Sequence, residues 1–208
     1  MNILGEGAIF KVKDGSSTLE TPRWYNVFFT DTYKKDWSIH GIIFDGNWEN
    51  NRKGVNIGYN QAFIGVFGNE GRCDNVVIKR NVFKNNPGLN NVVTGVSYFV
   101  SQGQATMTLG DNWDVSENWH INNGMDSFDF TAVFGLCDNM KCDNSWYIND
   151  FSATGVSAAG PRNAFEVHGS NQTFNNNFIK SYYSGMIVNS NYTSVCENIQ
   201  VNNNIMVD

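Results

Sequence analysis

The sequence predicts an all-β chain folded as a right-handed, single-stranded parallel β-helix of about six coils, with little helix. Three observations predict it. A short strand-like phrase ending in asparagine recurs along the chain, and apolar residues alternate with polar ones between its copies. Asparagine itself supplies 32 of the 208 residues, roughly three times an ordinary share.

The recurring phrase reads IIFDGNWENN (42–51), VIKRNVFKNN (77–86), DVSENWHINN (114–123), KCDNSWYIND (141–150), TFNNNFIKS (173–181) and QVNNNIMVD (200–208). Its anchors are Asn47, Asn81, Asn118, Ser145, Asn177 and Asn204, and successive anchors lie 34, 37, 27, 32 and 27 residues apart. That spacing is too irregular for helical repeat arrays, whereas strands joined by loops of variable length tolerate it. Asparagine explains itself in the same picture. It disfavours helix interiors, accepts left-handed backbone geometry and bonds its own main chain at turns. In stacked coils, identical asparagines can also form a ladder, each amide bonding its neighbour one coil away.

A second strand set lies between the phrases: VVTGVSYFV (92–100), ATMTL (105–109), SFDFTAVFG (127–135), NAFEVHG (163–169) and SGMIVNS (184–190). Their period of two puts one face in and one face out. No window of about a dozen residues keeps a helical period, and Gly or Asn interrupts each candidate helix. An antiparallel sandwich would need varied Asn-Gly hairpin signals instead of one corner repeated at the same place in each unit.

Composition bounds the function. The length fits one domain over 1–208, and 41% hydrophobic with 16% charged residues gives a chain that buries a core. A formal net charge of −6 and a pI near 5.0, with no basic run, argue against nucleic acid and anionic membrane surfaces as partners. A neutral or sugar-like ligand fits better. No apolar run approaches a membrane span, and the start MNILGEGAIFKVKDG lacks the basic-then-apolar order of a signal peptide. The cysteines Cys73, Cys137, Cys142 and Cys196 have no paired CxxC spacing and read as small core residues, with a local Cys137–Cys142 disulfide as the alternative. No P-loop, dinucleotide, zinc-protease or nucleophile-elbow motif occurs, and no acidic cluster suggests calcium. No cofactor and no metal are expected.

Stacked coils hold outward side chains in columns about 4.8 Å apart, a spacing suited to a linear polymer. In SFDFT, Phe128 and Phe130 share the inward parity, which puts Asp129 and Thr131 outside. In NAFEVHG, Phe165 and Val167 face in, leaving Glu166 and His168 outside, and the same reading of ATMTL leaves Thr108 outside. Positions 108, 129 and 166 are thus candidates for one column. Asp129 and Glu166 one rung apart would match the carboxylate pair of a retaining glycosidase, whereas two rungs, about 10 Å, lie near the upper limit of the inverting geometry, and the group forced to keep its proton would serve as acid. Arg162, in the Gly-Pro loop AAGPRN, can bring a guanidinium to an acidic sugar. Trp48, Tyr182 and Tyr183 lie beside turns as candidate sugar contacts, whereas Trp119 and Trp146 share a repeat position and read as a stacked ladder. His40 and His120 read as structural, and Asp45 reads first as a turn residue.

The repeats, with ILGEGAIFKVKDGS and SIHGIIFDGNWENN (38–51), resemble the pectate-lyase-like, or pectin-lyase-like, β-helix superfamily, and within it the tailspikes and appendages of bacteriophages. The resemblance spans nearly the whole chain. Asp126 and Asp129 in NNGMDSFDF look like the paired Asp of the NTDGID-like stretch in polygalacturonases, and His168-Gly169 is similar to that branch's Gly-His-Gly. The adjacent Asp pair of that branch is replaced by Glu166, and its Arg-Ile-Lys is missing. The resemblance implies a homotrimer on a virion tail or otherwise extracellular, a bacterial surface polysaccharide as partner, and a chain that is a fragment of a longer one. It implies hydrolysis of that polysaccharide with Asp126, Asp129 and Glu166 as the catalytic candidates. The alternatives are a polysaccharide lyase, relying on Arg162 or His168, and a non-catalytic receptor-binding or structural domain.

Overall fold

Strand, left-handed residue and strand again is the local rule from which each coil is built. The computed structural model describes residues 1–16, 26–30, 32–51, 62–66, 72–87, 90–94, 96–99, 105–108, 110–124, 130–150, 163–188 and 195–208. The first coil contains β1 (Asn2–Leu4), β2 (Ile9–Lys11) and β3 (Asn26–Thr30), and the second β4 (Lys34–His40), β5 (Ile43–Asp45) and β6 (Ala62–Val66). The third contains β7 (Cys73–Lys79), β8 (Val82–Lys84) and β9 (Asn90–Val93). An antiparallel hairpin of β10 (Val96–Phe99) and β11 (Ala105–Thr108) then forms a sheet of its own. The fourth coil runs through β12 (Gly110–Asp114), β13 (Trp119–Ile121) and β14 (Thr131–Asp138).

β14 turns into the fifth coil, because its last residues Cys137 and Asp138 pair with Gly110 and Asp111 of β12. That coil continues through Lys141, which bridges Asp114 and Thr173, to β15 (Trp146–Ile148) and β16 (Asn163–His168). The sixth holds β17 (Thr173–Asn175), β18 (Phe178–Lys180) and β19 (Ser184–Val188), and a partial seventh holds β20 (Gln200–Asn202) and β21 (Ile205–Val207). Corresponding strands pair in parallel from coil to coil, and one stack runs β2-β5-β8-β13-β15-β18-β21 with a strand from each coil. The chain is a parallel β-helix. Among the described residues its helical content is a single 3-10 turn at Trp48–Asn50.

Left-handed corners account for the asparagine. Among the described residues sixteen non-glycine positions have positive φ, and eleven of them are Asn, the side chain that reaches this region at least cost after glycine. Asn75, Arg80 and Asn85 mark the third coil and Asn112, Glu117 and Asn122 the fourth, always five residues apart. Immediately after the middle corner stands the predicted ladder. Asn81 N–H donates to Asn118 Oδ1, Asn118 N–H to Ser145 Oγ, Ser145 N–H to Asn177 Oδ1 and Asn177 N–H to Asn204 Oδ1.

The first anchor is misplaced in the sequence reading. Ile42 N–H, not Asn47, meets Asn81 Oδ1, so the second coil has no side chain of its own in the ladder. Asn47 belongs to the next corner, where its φ is 53° and its amide donates to Val12 O and Asp14. At that corner a second ladder runs from Asn86 N–H to Asn123 Oδ1 and from Asn123 N–H to Asn149 Oδ1.

Inward residues stack in register with the corners. Phe10, Phe44, Phe83, His120 and Tyr147 form one aromatic file, with centroids 6.1, 5.0, 4.9 and 4.5 Å apart. Phe10 at the end of the file is partly exposed, whereas Phe44 and Phe83 are fully buried, each stabilising the fold by about 2 kcal/mol. Cys73, Cys137 and Cys142 are buried in this core and form no disulfide, as their reading as core residues requires.

Candidate functional site

Strands β14 and β16 lie side by side, with Thr131 opposite Asn163, Val133 opposite Phe165 and Phe134 opposite Glu166. Phe165 and Val167 enter the core, so alternation sends Glu166 the other way, and its side chain retains 18% exposure. Glu166 Oε1 lies 3.1 Å from His168 Nε2, and Thr131 Oγ1 donates to Oε2 at 3.3 Å. Asn163 Nδ2 in turn donates to Thr131 Oγ1 at 3.3 Å. The result is a half-open carboxylate whose two oxygens are engaged by groups from two coils.

The surroundings are drier than the sequence reading expects. His168 shares the parity of Glu166 but is buried, with its ring tilted on Phe134 at 5.0 Å. It is therefore a support beneath the carboxylate and not a surface histidine. Thr108 does not share a column with Glu166. Thr108 sits on the antiparallel hairpin opposite Val96, and the rung neighbours of Glu166 are Phe134 and Ile187. Asp126, Asp129 and Arg162 lie outside the described residues.

Of the aromatic candidates, Tyr183 is 88% exposed and Trp48 is half-buried in the 3-10 turn. They stand on the sixth and second coils, so the fold holds them about 19 Å apart along the stack. Tyr182 is a correction. It is buried, edge-on to Tyr147 at 6.3 Å, and burial pushes its phenol pKa up. Trp119 and Trp146 form the expected ladder, paired in register with their rings stacked at 4.5 Å and 10°. Each indole spends one face on the other, and the rungs beyond them carry Val82 and Phe178. Stacking thus takes one face of each ring from any sugar.

A carboxylate column on adjacent rungs does occur elsewhere. Asp111 pairs in register with Asp74 on one side and Asp138 on the other. A polar cavity of about 280 Å³ opens beside Arg72, Asp111, Asp138 and Ser170. The sequence signal was available: Asp-Asn recurs at 74–75, 111–112 and 138–139, with the same spacings of 37 and 27 as the anchors Asn81, Asn118 and Ser145. These carboxylates are occupied by turn chemistry. Asp74 accepts from Tyr33 and Arg72, Asp111 from Asn139, and Asp138 from the Ser170 N–H. Among the described residues no three His, Cys, Asp or Glu side chains converge as a metal site, and no helix is long and apolar enough to cross a membrane.

No protein-family model matches the sequence, and no curated protein matches it either. Among solved structures, the chain is similar to a mutant tailspike protein of E. coli bacteriophage HK620, solved in complex with a pentasaccharide. The TM-score is 0.52 at 14% identity, over 97% of this chain. The likeness is one of fold. The matched region spans 39% of the tailspike's length.

Proposed function

We propose that this chain is a tailspike-type solenoid domain, 1–208, that binds a bacterial surface polysaccharide and hydrolyses it at Glu166. The observation that carries the reading is Glu166 itself, a half-open carboxylate held by Thr131 and His168 on a β-helix whose structural neighbour was solved with a pentasaccharide. Glycoside hydrolysis needs two carboxyl groups. In this reading Glu166 works ionised at the anomeric carbon, attacking it or activating water, while a second carboxylic acid gives its proton to the leaving oxygen. Asp129 or Asp126 is the proposed second group. Arg162, Tyr183 and Trp48 are proposed to contact the chain of sugars beyond the point of cleavage.

A homotrimer on a virion tail, or otherwise outside the cell, is the proposed setting, and the exposed Leu4, Ile9, Val201 and Ile205 at the two ends of the stack support further coils or partners there. Lyase chemistry with His168 as base is disfavoured by its burial beneath Glu166. The test is to incubate the protein and its Glu166→Gln variant with a panel of bacterial capsular and wall polysaccharides, following new reducing ends and the ultraviolet absorbance of unsaturated uronate together. Reducing ends without absorbance, lost in the variant, are expected. Absorbance would mean a lyase, and equal turnover by both proteins would remove Glu166 from the chemistry. Binding without turnover in either would leave a receptor-binding domain.

A further inference from the structure

We infer that Thr131, aimed by Asn163, is the positioning residue that keeps Glu166 ionised and in one orientation. The inference rests on the reading that Glu166 acts on the substrate, and it adds which protonation state is used and what fixes it. Hydrogen-bond direction carries the argument. An amide nitrogen only donates, so Asn163 Nδ2 uses a lone pair of Thr131 Oγ1 and leaves the single hydroxyl proton for Glu166 Oε2. Turning the Asn163 amide over would draw that proton to Asn163 and leave Thr131 only a lone pair toward Glu166, so the orientation with Nδ2 on Thr131 is the one that supports the charged carboxylate.

Geometry makes this a fixed device. Thr131 and Asn163 are both buried and are register partners across β14 and β16, so backbone pairing holds the relay. Thr131 is β-branched, with few rotamers to lose, whereas Glu166 has three side-chain torsions that must be frozen before it can work. The groups facing Glu166 from the packed strands are Thr131 and Phe134 of β14, Ile187 of β19 and His168 of its own strand. Among the described residues, His168 is the titratable one of these. A carboxylate that accepts from a hydroxyl O–H has its charged form favoured, and His168 in the Nε2–H tautomer adds a second donor, which suits a base or nucleophile and leaves the acid role to the second carboxyl group.

The experiment compares the full chain with Thr131→Val, which keeps the shape and removes the donor, and Thr131→Ser, which keeps the donor. The Glu166 side-chain carboxyl is followed by carbon NMR through a pH titration, which needs no substrate. The expected result is an upward shift of its midpoint by about half a unit or more in Thr131→Val and a wild-type midpoint in Thr131→Ser. On a polysaccharide the protein cleaves, kcat falls about tenfold to a hundredfold in Thr131→Val with little change in KM, as for other supports of an active group. The acid limb of the rate profile moves to higher pH, and Thr131→Ser restores both. A midpoint and profile unchanged in Thr131→Val would overturn the inference. Loss of the shift concerns Thr131 alone, whereas full turnover by Glu166→Gln concerns the proposed function alone. Should Thr131→Val fail to fold, Thr131→Ala reads the same midpoint.

Discussion

Asn118 Oδ1 accepts two hydrogen bonds from Asn81, one coil earlier, from the backbone N–H at 3.0 Å and from Nδ2 at 3.2 Å. The same side chain donates to Ile78 O at 2.8 Å, so one buried amide closes three main-chain and side-chain groups at the corner. Asn118→Ala takes this partner from the Asn81 N–H and from Ile78 O, while Asn81 Nδ2 keeps its bond to Ile39 O, at about 1–3 kcal/mol for each group left unpaired. Urea denaturation is expected to show a loss of about 3 kcal/mol or more with an unchanged slope. A loss below about 1 kcal/mol would mean that the ladder is incidental to the stack.

His120 takes a phenylalanine's place in the aromatic file between Phe83 and Tyr147. Burial pushes its pKa down from 6.5 to about 3, and Asn91 Nδ2, a donor, lies 2.9 Å from Nδ1, which must therefore accept. The folded chain holds this ring neutral while the unfolded chain protonates it. Its contribution is thus complete above about pH 6.5 and is lost as pH falls towards 3, by about 1.4 kcal/mol per pH unit. Melting curves between these limits should steepen this way, and His120→Phe should flatten the dependence.

Trp119 and Trp146 remain 40% and 37% exposed although they are stacked. Their pairing is expected to contribute about 1 kcal/mol of coupling beyond the single losses. A double-mutant cycle of Trp119→Ala and Trp146→Ala measures it, and additive losses would show that the stack is only packing side by side. Neither substitution should alter polysaccharide binding.

Thiol reactivity should divide the cysteines sharply. Burial pushes the Cys73 thiol up to about 11 and raises Cys137 and Cys142 well above the ordinary value. Only the partly exposed Cys196 is expected to react with an aromatic disulfide reagent at neutral pH in the native state. All four should react in denaturant. Two or more fast native thiols would contradict the packing of the core.

The coil repeat was legible because corner chemistry is local: an Asn after a left-handed residue reads the same wherever it occurs. Even Ser145, the one anchor that is not Asn, takes its ladder place through a hydroxyl. Asn47 was misread because IIFDGN contains a second, later corner and the true ladder position, Ile42, bears no polar side chain. Register between distant strands was not legible, since the β10–β11 hairpin interrupts the period and separates Thr108 from the stack. Parity placed Glu166 correctly on the side away from Phe165, yet parity says only which way a side chain leaves the strand. It does not say what lies over it, and so the burial of His168 and Tyr182 was missed.

The most direct measurement of the central claim is where a sugar chain lands. An oligosaccharide from any polysaccharide that the protein binds, titrated into isotope-labelled Glu166→Gln protein, should shift the amide resonances of Thr131, Phe134, Asn163 and position 166 together, leaving those around Trp119 and Trp146 unmoved. Shifts centred on Trp119 and Trp146, or on Asp111 and Asp138, would contradict the account and move the binding face to another side of the solenoid.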